Sequence, residues 1–178
     1  MESHFEHDIG DLKQRLLAMA GHAETAVNLA LQALLNRDYD LPLRVKEDDK
    51  IIDRFEVEID DLAINLLAKA PLASELRLIT VAMKISHDLE RVGDEATTIA
   101  RRVTELNHAP EIKPNVNIPQ MAEIGLRMLK EALDSFVNRD TAKARAIIPR
   151  DKEVDAMNTQ LHRELTHYIV EKPTTITV

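Results

Sequence analysis

The fold class follows from residues 9–33, which read IGDLKQRLLAMAGHAETAVNLALQA. Small or apolar residues recur in this stretch at alternating steps of three and four: Ile9, Leu12, Leu16, Met19, Ala23, Ala26, Ala30 and Ala33. This spacing predicts one long helix with a single apolar face. Because alanine fills the second half of that face, a neighbouring helix is expected to approach it closely.

The remainder of the chain has the same helical periodicity. A second helix is predicted over about 43–70, where Pro71 ends it, with its apolar line at Ile52, Phe55, Ile59, Leu62 and Leu66. A third helix is predicted from Ser74, a candidate N-cap, with its apolar line at Leu78, Ala82, Ile85, Leu89, Val92, Ala96, Ile99 and Val103.

Two further helices are predicted over about 120–138 and 141–171, and Pro149 is expected to break the second of them. We find no credible strand in the sequence. The fold class predicted from the residues alone is therefore all-α.

Composition narrows the possible functions. The 178 residues include no Cys, so disulfides, thiolate metal sites and cysteine nucleophiles are excluded. The net charge is −8 and there is no basic block, which argues against nucleic acid as a ligand. Neither a signal peptide nor a membrane-spanning run is visible. These features favour a cytoplasmic protein whose ligands are cations or a basic partner surface.

The sequence repeats itself at an offset of 102 residues. The motif at 36–38, Asn-Arg-Asp, recurs at 138–140, and the Asp-Lys-x-x-Asp motif at 49–53 recurs at 151–155. Residues 1–107 are therefore interpreted as a three-helix unit, 108–119 as a Pro-rich linker, and 120–178 as a second unit of only two helices.

The second unit lacks a counterpart of the third helix. Either the chain is a fragment, or another chain covers the exposed face. Since two helices cannot bury their apolar stripes alone, we expect a homodimer or a helix-exchanged oligomer that forms through residues 120–170.

Acidic residues form stripes beside the predicted core. Asp49, Asp53, Glu56 and Asp60 share one face of the second helix, and Glu90 and Asp94 share one face of the third. If the two helices are antiparallel around a turn near residue 72, the two stripes lie at the same height. Facing carboxylates suit hard cations such as Mg²⁺ and Mn²⁺, and also iron clusters. The alternative is a solvated acidic surface on a purely structural helical scaffold.

A second alternative is a ferritin-like metalloenzyme with carboxylate-bridged iron, which requires Glu-x-x-His on two helices. Glu105 with His108 and Glu164 with His167 have this spacing. No glycine-rich phosphate loop and no nucleophile motif is present. His87 is interpreted as a surface or interhelical polar residue.

One segment resembles a known family. Residues 88–94, Asp-Leu-Glu-Arg-Val-Gly-Asp, are similar to the D-L-E-R-I-G-D signature of the PhoU family, and residues 34–38, 49–53 and 66–68 resemble its earlier segments. The resemblance implies two tandem three-helix bundles, the second of which lacks its last helix here. It also implies a non-enzymatic, cytoplasmic and often dimeric regulator that represses the phosphate-starvation response.

The resemblance further implies partners and metals. The partners are a phosphate ABC transporter, through its ATPase subunit, and a membrane sensor histidine kinase, so membrane association would be peripheral and only through them. Some members bind iron or zinc clusters through E(D)xxxD motifs. These motifs correspond here to Asp49, Asp53, Glu90, Asp94, Asp151 and Asp155.

Overall fold

The computed structural model describes residues 4–69, 72–106 and 117–173, and every regular element in these ranges is a helix. The elements are α1 (His4–Asn36), α2 (Leu41–Leu67), α3 (Ala73–Glu105), α4 (Ile118–Asn138), α5 (Thr141–Ile147), a 3₁₀ turn (Ile148–Arg150) and α6 (Asp151–Glu171). The all-α prediction is confirmed. The chain forms two compact units, Met1–Thr104 and Glu105–Val178.

The apolar line of α1 forms the centre of the first unit. From Leu12 to Ala33, every position predicted on that line is completely buried, and Ile9 is half-buried. Helix α2 runs antiparallel to α1. Arg15 of α1 pairs with Glu58 of α2, whereas His22, about two turns further along α1, lies beside Asp48, which comes earlier in α2. The prediction of a single buried face on α1 is therefore confirmed.

The apolar line predicted for α3 is partly wrong. Ile85, Val92 and Ile99 are only half-buried, and the next residue in each case, Ser86, Gly93 and Ala100, is buried instead. In the core, the Ser86 hydroxyl lies 3.5 Å from the Met19 sulfur. The reason is steric: where helices pack closely, small residues occupy the contact line and branched residues flank it.

Helix α2 also departs from its predicted apolar line. Its buried residues recur mainly at intervals of seven, at Val45, Ile52, Ile59 and Leu66, together with Ala63. Phe55 and Leu62, predicted on the apolar line, are half-buried.

The repeated Asn-Arg-Asp motif is a helix terminator in both units. Arg37 and Arg139 adopt the left-handed conformation, with φ of 50° and 56°. The next N–H then bonds back to the helix, from Asp38 to Ala33 O at 3.1 Å and from Asp140 to Ser135 O at 2.8 Å. The carboxylate of Asp140 also accepts a hydrogen bond from the Lys143 N–H and so begins α5.

Other helix ends differ slightly from the sequence predictions. Ser74 is not the N-cap of α3, because the helix begins at Ala73 and the Glu75 carboxylate accepts a hydrogen bond from the Leu72 N–H. Helix α4 begins at Ile118, two residues early, because the Asn117 side chain caps it. Most of the predicted linker lies at 107–116, outside the described residues. The predicted break at Pro149 is confirmed.

The second unit has a thinner core than the first. Its buried residues in the described range are Ile124, Leu133, Ser135 and Ile147, and α6 buries none of its side chains. On α6, Val154, Met157 and Leu161 are half-buried, and Val170 is 71% exposed. Among the described residues, no helix is long and apolar enough to cross a membrane.

Candidate metal centre

The candidate site lies at a close contact between α2 and α3, around Gly93. Gly93 is buried in this contact, and a Cβ atom placed on it would lie 2.8 Å from Ile52 Cδ1 and 3.1 Å from Asp49 Oδ1. A larger residue would have to displace the Ile52 and Asp49 side chains or move the helices apart. The absence of a side chain at Gly93 therefore lets the acidic stripe of α3 lie against that of α2.

Four carboxylates from the two helices interact at this contact, and we call Asp49, Asp53, Glu90 and Asp94 the acidic cluster. Burial raises the pKa of Asp49, and the charges of Asp53 and Asp94 raise it further, while a hydrogen bond from Thr97 lowers it. Burial also raises the pKa of Glu90, and the carboxylates of Asp94, Glu56 and Asp53 add to that effect. The structure thus brings together the four motif acids of the first unit that the sequence analysis singled out.

A histidine lies at the edge of the acidic cluster. His87 Nδ1 is 3.2 Å from Glu56 Oε1 on α2 and 3.9 Å from Glu90 Oε2 on its own helix. One potential ligand atom from each of these residues lies within 4.8 Å of the other two. The proximity of His87 lowers the pKa of Glu90, opposing the neighbouring carboxylates.

Glu56 was predicted in the acidic stripe, whereas His87 was predicted only as a surface or interhelical polar residue with no role in a site. The sequence did contain a signal for the pairing of these two residues, because positions 56 and 87 are nearly equidistant from the turn at residue 72. The i,i+3 spacing of His87 and Glu90 also puts them on one face of α3.

The remaining candidate residues belong to the second unit. Asp151 and Asp155 are exposed on the first two turns of α6, and the three-ligand set found among the described residues does not include them. His167 has a 75% exposed side chain and pairs with Glu171 at 3.1 Å. It does not face a core, as a ferritin-like site requires, and His108 lies outside the described residues.

The raised pKa values predict a pH dependence of stability. Because the pKa values of Asp49 and Glu90 are raised above their ordinary 3.8 and 4.5, the folded state binds protons more readily than the unfolded chain. Their contribution to stability is therefore present at low pH and is lost as the pH rises through the raised values. We expect Asp49→Asn with Glu90→Gln to remove this contribution, so that the free energy of unfolding of the double variant, relative to that of the wild type, is lower at mildly acidic pH than at pH 7.

Urea unfolding in chelator at several pH values measures this effect, with Asp61→Asn, an exposed acid of α2, as the control. An identical pH slope in the wild type and the double variant would contradict the prediction.

Comparison with known proteins identifies the family. The family model for the PhoU domain matches residues 16–103 and 118–177, and so covers both units. The chain belongs to the PhoU family. The signature at 88–94 that suggested it contributes Glu90, Gly93 and Asp94 to the contact between α2 and α3.

Individual PhoU proteins are similar over almost the whole chain. The crystal structure of PhoU from Pseudomonas aeruginosa superimposes with a TM-score of 0.91 at 36% identity, covering 98% of this chain and 84% of that one. The PhoU homologue of Aquifex aeolicus is 38% identical over 95% of this chain and 77% of its own length. The Escherichia coli protein is 34% identical over 97% of this chain and 72% of its own. Both are named phosphate-specific transport system accessory proteins.

Proposed function

We propose that this PhoU-family chain is a non-enzymatic regulator of phosphate uptake that represses the phosphate-starvation response. It acts in the cytoplasm as an adaptor between the ATPase subunit of a phosphate ABC transporter and a membrane sensor histidine kinase. The observation that carries the proposal is the family match over both units, with relatives at 34% and 38% identity that are named accessory proteins of phosphate-specific transport systems.

Cation binding at the acidic cluster is the second part of the proposal. Burial and mutual repulsion raise the pKa values of Asp49 and Glu90, so the cluster is costly to ionise without a counter-charge. A divalent or trivalent ion would replace that repulsion with ligation. Carboxylate oxygens suit Mg²⁺, Mn²⁺ and iron, and zinc also accepts them. Asp151 and Asp155 would form only an open, exposed pair of ligands at the start of α6.

Association through the second unit is the third part. Val154, Met157 and Leu161 of α6 are only half-buried within the described unit and Val170 is exposed, so the apolar face of α6 has room for another helix. We propose that a homodimer, or a helix-exchanged oligomer through residues 120–170, covers this face. Analytical ultracentrifugation tests this part, and a stable monomer at all concentrations would contradict it.

One experiment on the full chain tests both the adaptor function and its dependence on a bound cation. The protein is stripped with chelator, and bound Fe, Zn, Mn and Mg are measured at equilibrium for the wild type, Asp94→Ala and the control Asp61→Ala. Binding to the transporter ATPase subunit and to the cytoplasmic part of the kinase is then measured with and without metal.

We expect stoichiometric metal in the wild type and in Asp61→Ala, its loss in Asp94→Ala, and partner binding that follows the metal. Partner binding without any metal uptake would overturn the cation part and leave the adaptor. No binding to either partner, with or without metal, would overturn the adaptor.

A further inference from the structure

We propose that Glu56 and His87, together with Glu90 of the acidic cluster, form a mixed-ligand position at the edge of that cluster, and that it prefers a borderline divalent cation such as Zn²⁺ over Mg²⁺ or Mn²⁺. This inference deepens the cation binding of the proposed function and adds a nitrogen ligand outside the E(D)xxxD motifs. It rests on the juxtaposition of one imidazole with two carboxylates from two helices.

The distances suit a small tetrahedral ion. In a zinc site with bonds near 2.0–2.1 Å, ligand atoms lie about 3.4 Å from one another. His87 Nδ1 is 3.2 Å from Glu56 Oε1 and 3.9 Å from Glu90 Oε2, which bracket that value. All three ligand atoms lie within 4.8 Å of one another, so small rotations of the glutamate side chains would complete the geometry.

The ligand chemistry separates this position from the acidic cluster. Imidazole suits Zn²⁺ and other late transition metals, whereas Mg²⁺ and Mn²⁺ favour all-oxygen sites. Two carboxylates neutralise the charge of a divalent ion. The His87 side chain is 66% exposed, so the remaining coordination positions face solvent and can hold water.

The three ligands are all carried by regular helical backbone. Each ligand projects from the interior of a long helix, His87 and Glu90 one turn apart on α3 and Glu56 opposite them on α2. The nearby contact of Gly93 with Ile52 sets the separation of the two helices. Little backbone ordering is therefore needed when a cation binds, which favours binding.

The test uses metal-free full chain and two probes. Co²⁺ titration, followed by its visible absorption bands and by Zn²⁺ competition, reports the mixed position, and Mn²⁺ binding followed by electron paramagnetic resonance reports the acidic cluster. The variants are His87→Ala and Asp94→Ala. The matched control is His167→Ala. His167 is also an exposed histidine, and it pairs with the carboxylate of Glu171.

We expect His87→Ala to weaken Zn²⁺ and Co²⁺ binding at least about tenfold and to leave Mn²⁺ binding unchanged. His167→Ala should change neither. Asp94→Ala should remove Mn²⁺ binding, which belongs to the proposed function. Because His87 is exposed, the fold should survive its removal, and circular dichroism checks this.

The outcomes separate the two proposals. If Mn²⁺ binds but Zn²⁺ and Co²⁺ affinities do not depend on His87, the mixed position is wrong and cation binding at the acidic cluster stands. If Zn²⁺ binding depends on His87 but Mn²⁺ does not bind, the mixed position stands and binding of that hard cation at the acidic cluster is wrong. If none of the three cations binds, both are wrong.

Discussion

Gly93→Val is expected to lower the free energy of unfolding by at least about 2 kcal/mol, because it overpacks the contact between α2 and α3. The first added carbon alone would lie 2.8 Å from Ile52 Cδ1, and Ile52 is completely buried and has little space to move into. The same carbon would lie 3.1 Å from the Asp49 carboxylate, so this ligand candidate or its helix must shift at the candidate metal centre. Cation binding should therefore weaken together with stability.

The matched control is Gly21→Ala on α1. A Cβ atom there meets nothing within 4 Å, and replacing a helical glycine by alanine should raise stability by up to about 1 kcal/mol. Urea unfolding of both variants measures the two changes in the free energy of unfolding, which we expect to have opposite signs. A Gly93→Val protein as stable as the wild type would show that α2 and α3 do not depend on close approach at this point.

Leu16→Ala is expected to cost about 2–5 kcal/mol, through lost apolar burial and the cavity left behind. Leu16 is completely buried in the line of α1 that faces the other helices, whereas its neighbour Leu17 is 39% exposed. Because one step along a helix rotates the side chain by about 100°, only one of the two can face the core. Leu17→Ala should therefore cost less than about 1 kcal/mol.

Chemical unfolding of the two variants, followed by far-ultraviolet circular dichroism, compares adjacent leucines on one helix. The comparison tests which face of α1 is buried and does not depend on helix propensity, since both substitutions replace leucine by alanine. Equal losses from Leu16→Ala and Leu17→Ala would contradict the packing described for the first unit.

Features that depend on local chemistry and on the helical period can be predicted from the amino-acid sequence alone. The apolar line of α1, the break at Pro149 and the ends of α1 and α4 after Asn36 and Asn138 were all readable in advance. The matched height of Asp53 and Glu90 followed from counting residues on either side of a short turn. These features need no knowledge of the distance between helices.

Which face of α3 packs, and which side chains meet across helices, depends on the packing of whole helices and could not be predicted from the sequence. Hydrophobic periodicity favoured the branched residues Ile85, Val92 and Ile99, but close approach at Gly93 rotates the helix so that small residues occupy the contact. That rotation also places His87 opposite Glu56. The physical reason is that helix rotation is set by steric fit between two surfaces, and neither surface can be read from one helix alone.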